Sequence, residues 1–201
     1  HVDFSCEMER AISVMDYAII IVSAVEGVQG HTETVWNLLR KYKVPTFFFI
    51  NKLDRVGANL EGVICEIRQS LSKESFYIND LNELNESLIE FIAEMDEELL
   101  EKYLNNEYES YIWKDKLRKL IKENKVYPCF AGSALQDGGI KEFLNAFDEL
   151  TFTKYDVNDK FSGIVNKIRY DSNGTRITFI KALSGKLKVR DEIEIYKGEQ
   201  K

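Results

Sequence analysis

Residues 44–54, V-P-T-F-F-F-I-N-K-L-D, decide the fold of this chain. An apolar run without polar alternation is typical of a strand buried on both faces, as in a parallel sheet covered by helices. In open α/β sheets, ligands bind at the carboxyl ends of the strands. The run ends in Asn51, Lys52 and Asp54, which combine an amide, a long apolar stem with a charged tip, and a carboxylate. This set suits a flat heteroaromatic ring with donors and acceptors on its edge.

Two more apolar runs predict strands on either side of this one. Residues 17–24 read Y-A-I-I-I-V-S-A, and residues 126–132 read V-Y-P-C-F-A-G. A helix is predicted over 32–41, with Thr32 as its cap, so the first two strands form a right-handed βαβ unit. We expect an α/β fold with three parallel strands, in which the strand at 17–24 is left as a hydrophobic edge.

A helical insert, at about 56–125, separates the second predicted strand from the third. Its residues 83–109 are acidic on a helical pattern, whereas residues 114–125 are mostly basic. These arms are either ordinary solvated helix faces or a docking surface for a protein partner, and the sequence leaves both open. A short strand is predicted at 76–78.

The pattern changes after residue 150 from α/β to all-β. Residues 161–184 predict a β-hairpin around an Asn-Gly turn, and another strand is predicted at 193–196. Short antiparallel strands without helices indicate a small barrel that is incomplete here. We therefore expect one domain over residues 1–152 and the start of a β-barrel domain over residues 153–201.

Composition excludes some classes of function. The net charge of −7 does not favour a non-specific polyanion-binding surface, so we expect no DNA partner. No apolar run is long enough to span a membrane. Cys6, Cys65 and Cys129 form no C-x-x-C pair, and Cys65 and Cys129 are expected to be buried thiols in a reducing cytosol. No set of metal ligands is evident, and His31 is expected at a surface or a helix start.

Several motifs resemble those of one family. N-K-L-D at 51–54 and G-S-A-L at 132–135 resemble the two guanine-recognition motifs of GTP-binding domains, and H-V-D-F at 1–4 resembles the end of D-T-P-G-H-x-D-F in translational GTPases. A-V-E-G-V-Q-G-H-T at 24–32 and E-L-L-E-K-Y-L at 98–104 are typical of the elongation factor G branch. The nearest resemblance is to the tetracycline-resistance ribosomal protection proteins. The chain is similar to these over nearly all of its length.

The resemblance implies the C-terminal part of a P-loop GTPase G domain, followed by the start of an antiparallel β-barrel. It implies that Asp54 accepts hydrogen bonds from guanine N1 and the exocyclic amino group. The stem of Lys52 would stack on the base. Asn51 would either contact the other edge of the base or brace the neighbouring loop.

The same resemblance assigns the second loop and a catalytic group. The backbone of Ser133 and Ala134 would present N–H groups to the guanine oxygen, and Leu135 completes that loop. His1 would be the catalytic histidine that orients the attacking water on the γ-phosphate.

The phosphate-binding motif G-x-x-x-x-G-K-[ST] does not occur in the 201 residues. We therefore expect GTP and Mg²⁺ as cofactors of the intact protein, with Mg²⁺ held by residues outside this chain. The chain alone is expected to hydrolyse no GTP, and to bind it weakly.

These implications describe a cytoplasmic GTPase that binds the ribosome, through ribosomal RNA and proteins, and dislodges tetracycline. Two alternatives stay open: a housekeeping elongation factor G-like or release-factor GTPase, or a non-catalytic protein-interaction module.

Overall fold

The computed structural model describes residues 5–105, 107 and 109–194, with side chains from residue 7 onward. These residues form two compact units, one of residues 15–152 and one of residues 5–14 together with 153–194. The strands are β1 (Ala18–Ser23), β2 (Thr46–Asn51), β3 (Ser75–Tyr77), β4 (Tyr127–Ala131), β5 (Ser162–Tyr170) and β6 (Arg176–Ser184). The α-helices are α1 (Ser5–Ile12), α2 (Gly30–Lys41), α3 (Leu60–Ser70), α4 (Glu86–Glu94), α5 (Glu97–Leu104), α6 (Ser110–Lys122) and α7 (Ile140–Leu150).

The larger unit contains a parallel sheet with the strand order β1-β2-β4-β3. This confirms the predicted α/β fold, but the sheet has four strands in place of the predicted three. The additional strand overlaps the short strand predicted at 76–78 and pairs with β4, with Ser75 opposite Tyr127. A three-residue strand gives too little pattern for the sequence to show which neighbour it pairs with.

Strand β2 is buried on both faces, as its apolar run predicts. Phe47 and Phe48 are fully buried and point to opposite sides of the sheet. The ring centres of Phe47 and Phe147, which is on α7, are 4.9 Å apart. Those of Phe48 and Trp36, which is on α2, are 5.5 Å apart. Side chains of β2 therefore pack against helices on both faces of the sheet.

Strand β1 lies at the edge of the sheet in the part of the chain that the structure describes. Its Ile19 and Ile21 side chains are 41% and 66% exposed. The predicted hydrophobic edge is therefore present. Such an edge offers unpaired backbone groups and apolar side chains to any further strand.

Helix α2 begins two residues earlier than predicted. Gln29 precedes its first turn, and Thr32 lies inside the helix, where its hydroxyl accepts the N–H of Gln29 at 3.4 Å. The predicted N-cap position is therefore wrong, since Gln29 occupies it, and Thr32 instead takes part in a capping box with Gln29. His31 is exposed in the first turn of α2, as predicted.

The insert packs through its acidic and basic arms. The helix of its acidic arm is interrupted at Asp96. This residue caps α5 by accepting the N–H of Leu99 at 3.3 Å. The same carboxylate lies 2.7 Å from the ammonium of Lys116 on α6, and this contact lowers the pKa of Asp96. Trp113 and Leu117 of α6 are buried in the core. An acidic residue of one arm and a basic residue of the other are thus paired with each other inside the insert.

The two cysteines with described side chains differ in their surroundings. Cys129 is buried in β4, where desolvation raises the pKa of its thiol. Cys65 is exposed on α3, so the prediction that it is buried is wrong. The buried face of α3 carries Val63 and Ile67, and Cys65 lies two positions from each, on the other side of the helix. The side chain of Cys6 lies outside the described residues.

The smaller unit contains the predicted hairpin, with β5 and β6 antiparallel. Asp171 organises its Asn-Gly turn by accepting the N–H of Asn173 at 2.9 Å and that of Thr175 at 2.8 Å. Of the strand predicted at 193–196, the first two residues have no strand structure, and the other two lie outside the described residues. The division into domains at residue 152 stays a prediction.

Arg40 is partly buried and links α2 to the sheet. Its guanidinium lies 4.2 Å from the centre of the Trp36 ring. It donates hydrogen bonds to Val44 O (2.5 Å), Thr46 Oγ1 (2.6 Å), Asn124 Oδ1 (2.6 Å) and Tyr127 OH (2.8 Å). The planar fork of arginine can reach acceptors on β2 and β4 together, which a lysine ammonium cannot do.

We predict that Arg40→Met lowers the free energy of unfolding by about 2–4 kcal/mol, because it leaves partly buried acceptors without a donor. Arg40→Lys should also destabilise the chain, since it loses the fork. Urea unfolding followed by tryptophan fluorescence, from Trp36 and Trp113 together, measures the change. Arg55→Met is the control: that side chain is 62% exposed, and a change within about 0.5 kcal/mol is expected. Equal effects of the two substitutions would contradict the role given to Arg40.

Candidate functional site

The parallel pairing of β2 and β4 brings together two loops that are distant in sequence. Phe48 lies opposite Cys129, and Ile50 opposite Ala131. The pairing continues past the strands, because Gly132 N–H donates to Ile50 O at 2.9 Å and Leu53 N–H donates to Gly132 O at 3.2 Å. Residues 51–54 and 133–135 therefore share one edge of the sheet.

Asn51 braces the second loop. Its Oδ1 atom accepts the N–H of Ala134 at 2.9 Å and that of Lys52 at 2.8 Å. Of the two roles considered for Asn51, bracing is the one this geometry displays. The N–H of Ser133 donates to Gly138 O at 2.9 Å. The two backbone donors expected to face a guanine oxygen thus have protein partners in this structure.

Asp54 is held by a side-chain contact across the two loops. The hydroxyl of Ser133 donates to Asp54 Oδ1 at 2.5 Å, and the Asp54 side chain is only 9% exposed. This hydrogen bond lowers the pKa of Asp54, and Arg55, with Nε 3.6 Å from Oδ2, acts in the same direction. Asp54 is therefore a fixed, ionised carboxylate with unused acceptor positions.

The loop after β4 is a tight turn that needs its glycines. A Cβ atom on Gly132 would lie 2.2 Å from Gly138 O, and one on Gly139, which has a positive φ of 76°, would lie 2.5 Å from Ala131 O. A short 3₁₀ turn at Ala134–Gln136 leaves Leu135 74% exposed. The turn thus places Ser133 inward against Asp54 and Leu135 at the surface.

Lys52 lies at the same edge of the sheet, beside the loop that follows β1. Its backbone has a positive φ of 71°, a left-handed conformation that is unusual for a residue with a side chain. Its ammonium lies 3.3 Å from Glu26 Oε2, in the loop after β1. Whether its stem covers a base stays a prediction.

Glu26 was not predicted as a site residue. It lines a cavity of about 250 Å³ together with Ser23, Gln29, Asn51 and Lys52. In the sequence, Glu26 belongs to the stretch A-V-E-G-V-Q-G-H-T at 24–32, which indicates the family but gives this glutamate no role. Only the register of β1 against β2, with Ser23 opposite Asn51, places it beside Lys52.

The described residues bear on three further expectations: a metal site, a membrane span and the catalytic histidine. Among them, no cluster of three or more His, Cys, Asp or Glu side chains could hold a metal ion. None of the helices that the structure describes is both apolar and long enough to cross a bilayer. His1, the predicted catalytic residue, lies outside the described residues.

The arrangement can read one edge of a planar ring. A fixed carboxylate beside a tight turn accepts two adjacent N–H donors and rejects a ring that presents acceptors there. Lys52 and Glu26 border the cavity beside it.

Comparisons with known proteins identify the family of the chain. The family model described as the elongation factor Tu GTP binding domain matches residues 1–153. Tetracycline resistance protein TetP of Clostridium perfringens is 32% identical over 97% of this chain, and TetS of Listeria monocytogenes is 32% identical over all of it. Elongation factor G of Carsonella ruddii is 29% identical over 93% of the chain.

A solved structure supports the fold. A crystal structure of a protein from Thermus thermophilus matches 95% of this chain, with a TM-score of 0.78 at 22% identity, and this chain covers 35% of it. The chain also spans only about a third of the curated relatives: 33% of TetP, 33% of TetS and 35% of elongation factor G. The family model, by contrast, covers most of the chain. The chain therefore belongs to the elongation factor Tu GTP-binding domain family, in the branch of elongation factor G and the tetracycline resistance proteins.

Proposed function

We propose that the loops at 51–54 and 133–135 bind the base of a guanine nucleotide. The observation that carries this proposal is the ionised Asp54 carboxylate, fixed by Ser133 and only slightly exposed. Guanine presents an N1–H and an exocyclic amino group side by side, and a carboxylate accepts both. Adenine presents a ring acceptor and a C–H at that edge, so it would leave the carboxylate unpaired.

The other residues of the site have supporting roles in this proposal. Asn51 holds the turn at Ala134 in place, so a guanine oxygen would have to share the N–H of Ala134 with Asn51. Leu135 forms the outer wall of the turn, and the stem of Lys52 covers the ring. The base is thus bound by groups that the sheet has already positioned, which limits the entropy lost on binding.

We further propose that the whole protein is a translational GTPase that hydrolyses GTP on the ribosome, contacts ribosomal RNA and proteins, and protects ribosomes from tetracycline in the cytoplasm. The identities to TetP and TetS support the resistance function, and the identity to elongation factor G supports the GTPase class. His1 is proposed to orient the attacking water, and Mg²⁺ to be held outside this chain. Without a G-x-x-x-x-G-K-[ST] segment, the 201 residues alone should release no phosphate from GTP.

Replacing Asp54 tests the base assignment. Asp54→Asn substitutes an amide that can donate, so GDP affinity of the full-length protein should fall by about 100-fold and xanthosine diphosphate affinity should rise. Equilibrium binding of both nucleotides measures the change. Asp137→Asn, in the neighbouring turn, is the control and should alter neither affinity. Unchanged GDP binding by Asp54→Asn would refute the assignment.

Replacing Ser133 tests the electrostatics. Its hydrogen bond lowers the pKa of Asp54, so Ser133→Ala should raise that pKa. Binding needs the ionised carboxylate, and the pH below which GDP affinity is lost should therefore be higher in the variant than in the wild type. Titrating GDP binding from neutral to acidic pH measures the shift. A shift to lower pH would contradict the proposed role of the carboxylate.

Growth distinguishes the resistance function from a housekeeping one. Expression of the full-length gene in a tetracycline-sensitive bacterium should raise the tetracycline concentration that stops growth. The Asp54→Asn variant, expressed at the same level, should lose this effect. If the wild type gives no protection but complements loss of elongation factor G, the housekeeping function is correct.

A further inference from the structure

The loop after β1 is organised around Glu26. The backbone N–H of Glu26 donates to Ser23 Oγ at 3.3 Å, and the side-chain amide of Gln29 donates to the backbone oxygen of Glu26 at 2.7 Å. Gly27 N–H closes the turn onto Ser23 O at 2.9 Å. These bonds fix the main chain on both sides of Glu26, so the loop sets the direction of its Cα–Cβ bond.

A second carboxylate supports this loop from α3. Glu66 Oε2 accepts the N–H of Val28 at 2.9 Å. Gly27 has a positive φ of 67°, and a Cβ atom there would lie 2.1 Å from Glu66 Oε2. Glu66 therefore packs directly against the backbone of the loop, and the first helix of the insert touches the site through this contact.

The Glu26 carboxylate meets Lys52 at the rim of the cavity. Hydrogen bonds from Ser23 and then Lys52 lower the pKa of Glu26, which keeps it ionised. The side chains of Lys52 and Glu26 are 48% and 61% exposed, and an exposed ion pair adds little to stability. Its effect is instead geometric. The left-handed backbone fixes one end of the Lys52 side chain, and the carboxylate holds the other end.

We propose that Glu26 is a positioning residue for Lys52, holding the lysine stem in the orientation that covers the base, and that Glu66 acts one step further out by holding the loop. This inference rests on the proposed binding of guanine. It assigns Glu26 no contact with the nucleotide. Its consequence is that Lys52 is ordered before the ligand arrives, so less side-chain freedom is lost on binding.

A double-mutant cycle tests the proposal in the full-length protein. Glu26→Gln removes the charge, and Lys52→Met keeps an apolar stem but removes the ammonium. Each should weaken binding of a fluorescent GDP about threefold to tenfold, and the double variant should be no weaker than the single variants. Salt screens ion pairs, so added salt should weaken GDP binding by the wild type more than by Glu26→Gln. Multiplicative effects, or no effect of Glu26→Gln, would overturn the proposal.

Matched variants separate the possible failures. Glu33→Gln removes the same charge from an exposed position on α2 and should not change GDP affinity. If Glu26→Gln does not fold, Glu66→Ala replaces it, because it removes the acceptor of the Val28 N–H: this variant should weaken GDP binding about twofold, and only while Lys52 is present. If the wild type binds no GDP, or Asp54→Asn shows no shift toward xanthosine diphosphate, the proposed function fails. If those results hold and the cycle is multiplicative, only the role of Glu26 is wrong.

Discussion

The parallel pairing of β2 with β4 is the constraint on which the rest of the site depends. Ser133 and Asp54 are 79 positions apart in sequence, yet a short hydrogen bond joins their side chains. Two strands in register bring this about, since parallel strands end at the same edge of a sheet. The insert between them can be long because its strand β3 pairs on the far side of β4 and leaves the β2–β4 contact intact.

Electrostatics at that edge follow from the same constraint. A carboxylate that is only 9% exposed would ordinarily be harder to ionise. The hydroxyl of Ser133 outweighs this effect, and the pKa of Asp54 is lowered. The pairing of strands therefore sets the charge state of Asp54, the residue that we propose distinguishes one base from another.

Long patterns in the sequence predicted most of the sheet, and short ones did not. The run at 44–50 identified a doubly buried strand, because three consecutive phenylalanines can only be covered from both sides. Strand β3 was only partly foreseen, since three residues cannot define a pairing partner. Asp54 and Ser133 were found together because both follow strands and match a motif. Glu26 was missed because its neighbour Lys52 is 26 positions away, and only strand register joins them.

At Lys52, the left-handed backbone opposes stability to the ligand binding that we propose for this residue. A side chain in that conformation costs about 1 kcal/mol, which glycine would not. Selection for thermal stability alone would therefore favour glycine at residue 52, and it would remove the stem and the ammonium. A laboratory screen for heat-resistant forms of this chain should be paired with a nucleotide-binding screen, because the two would pull residue 52 in opposite directions.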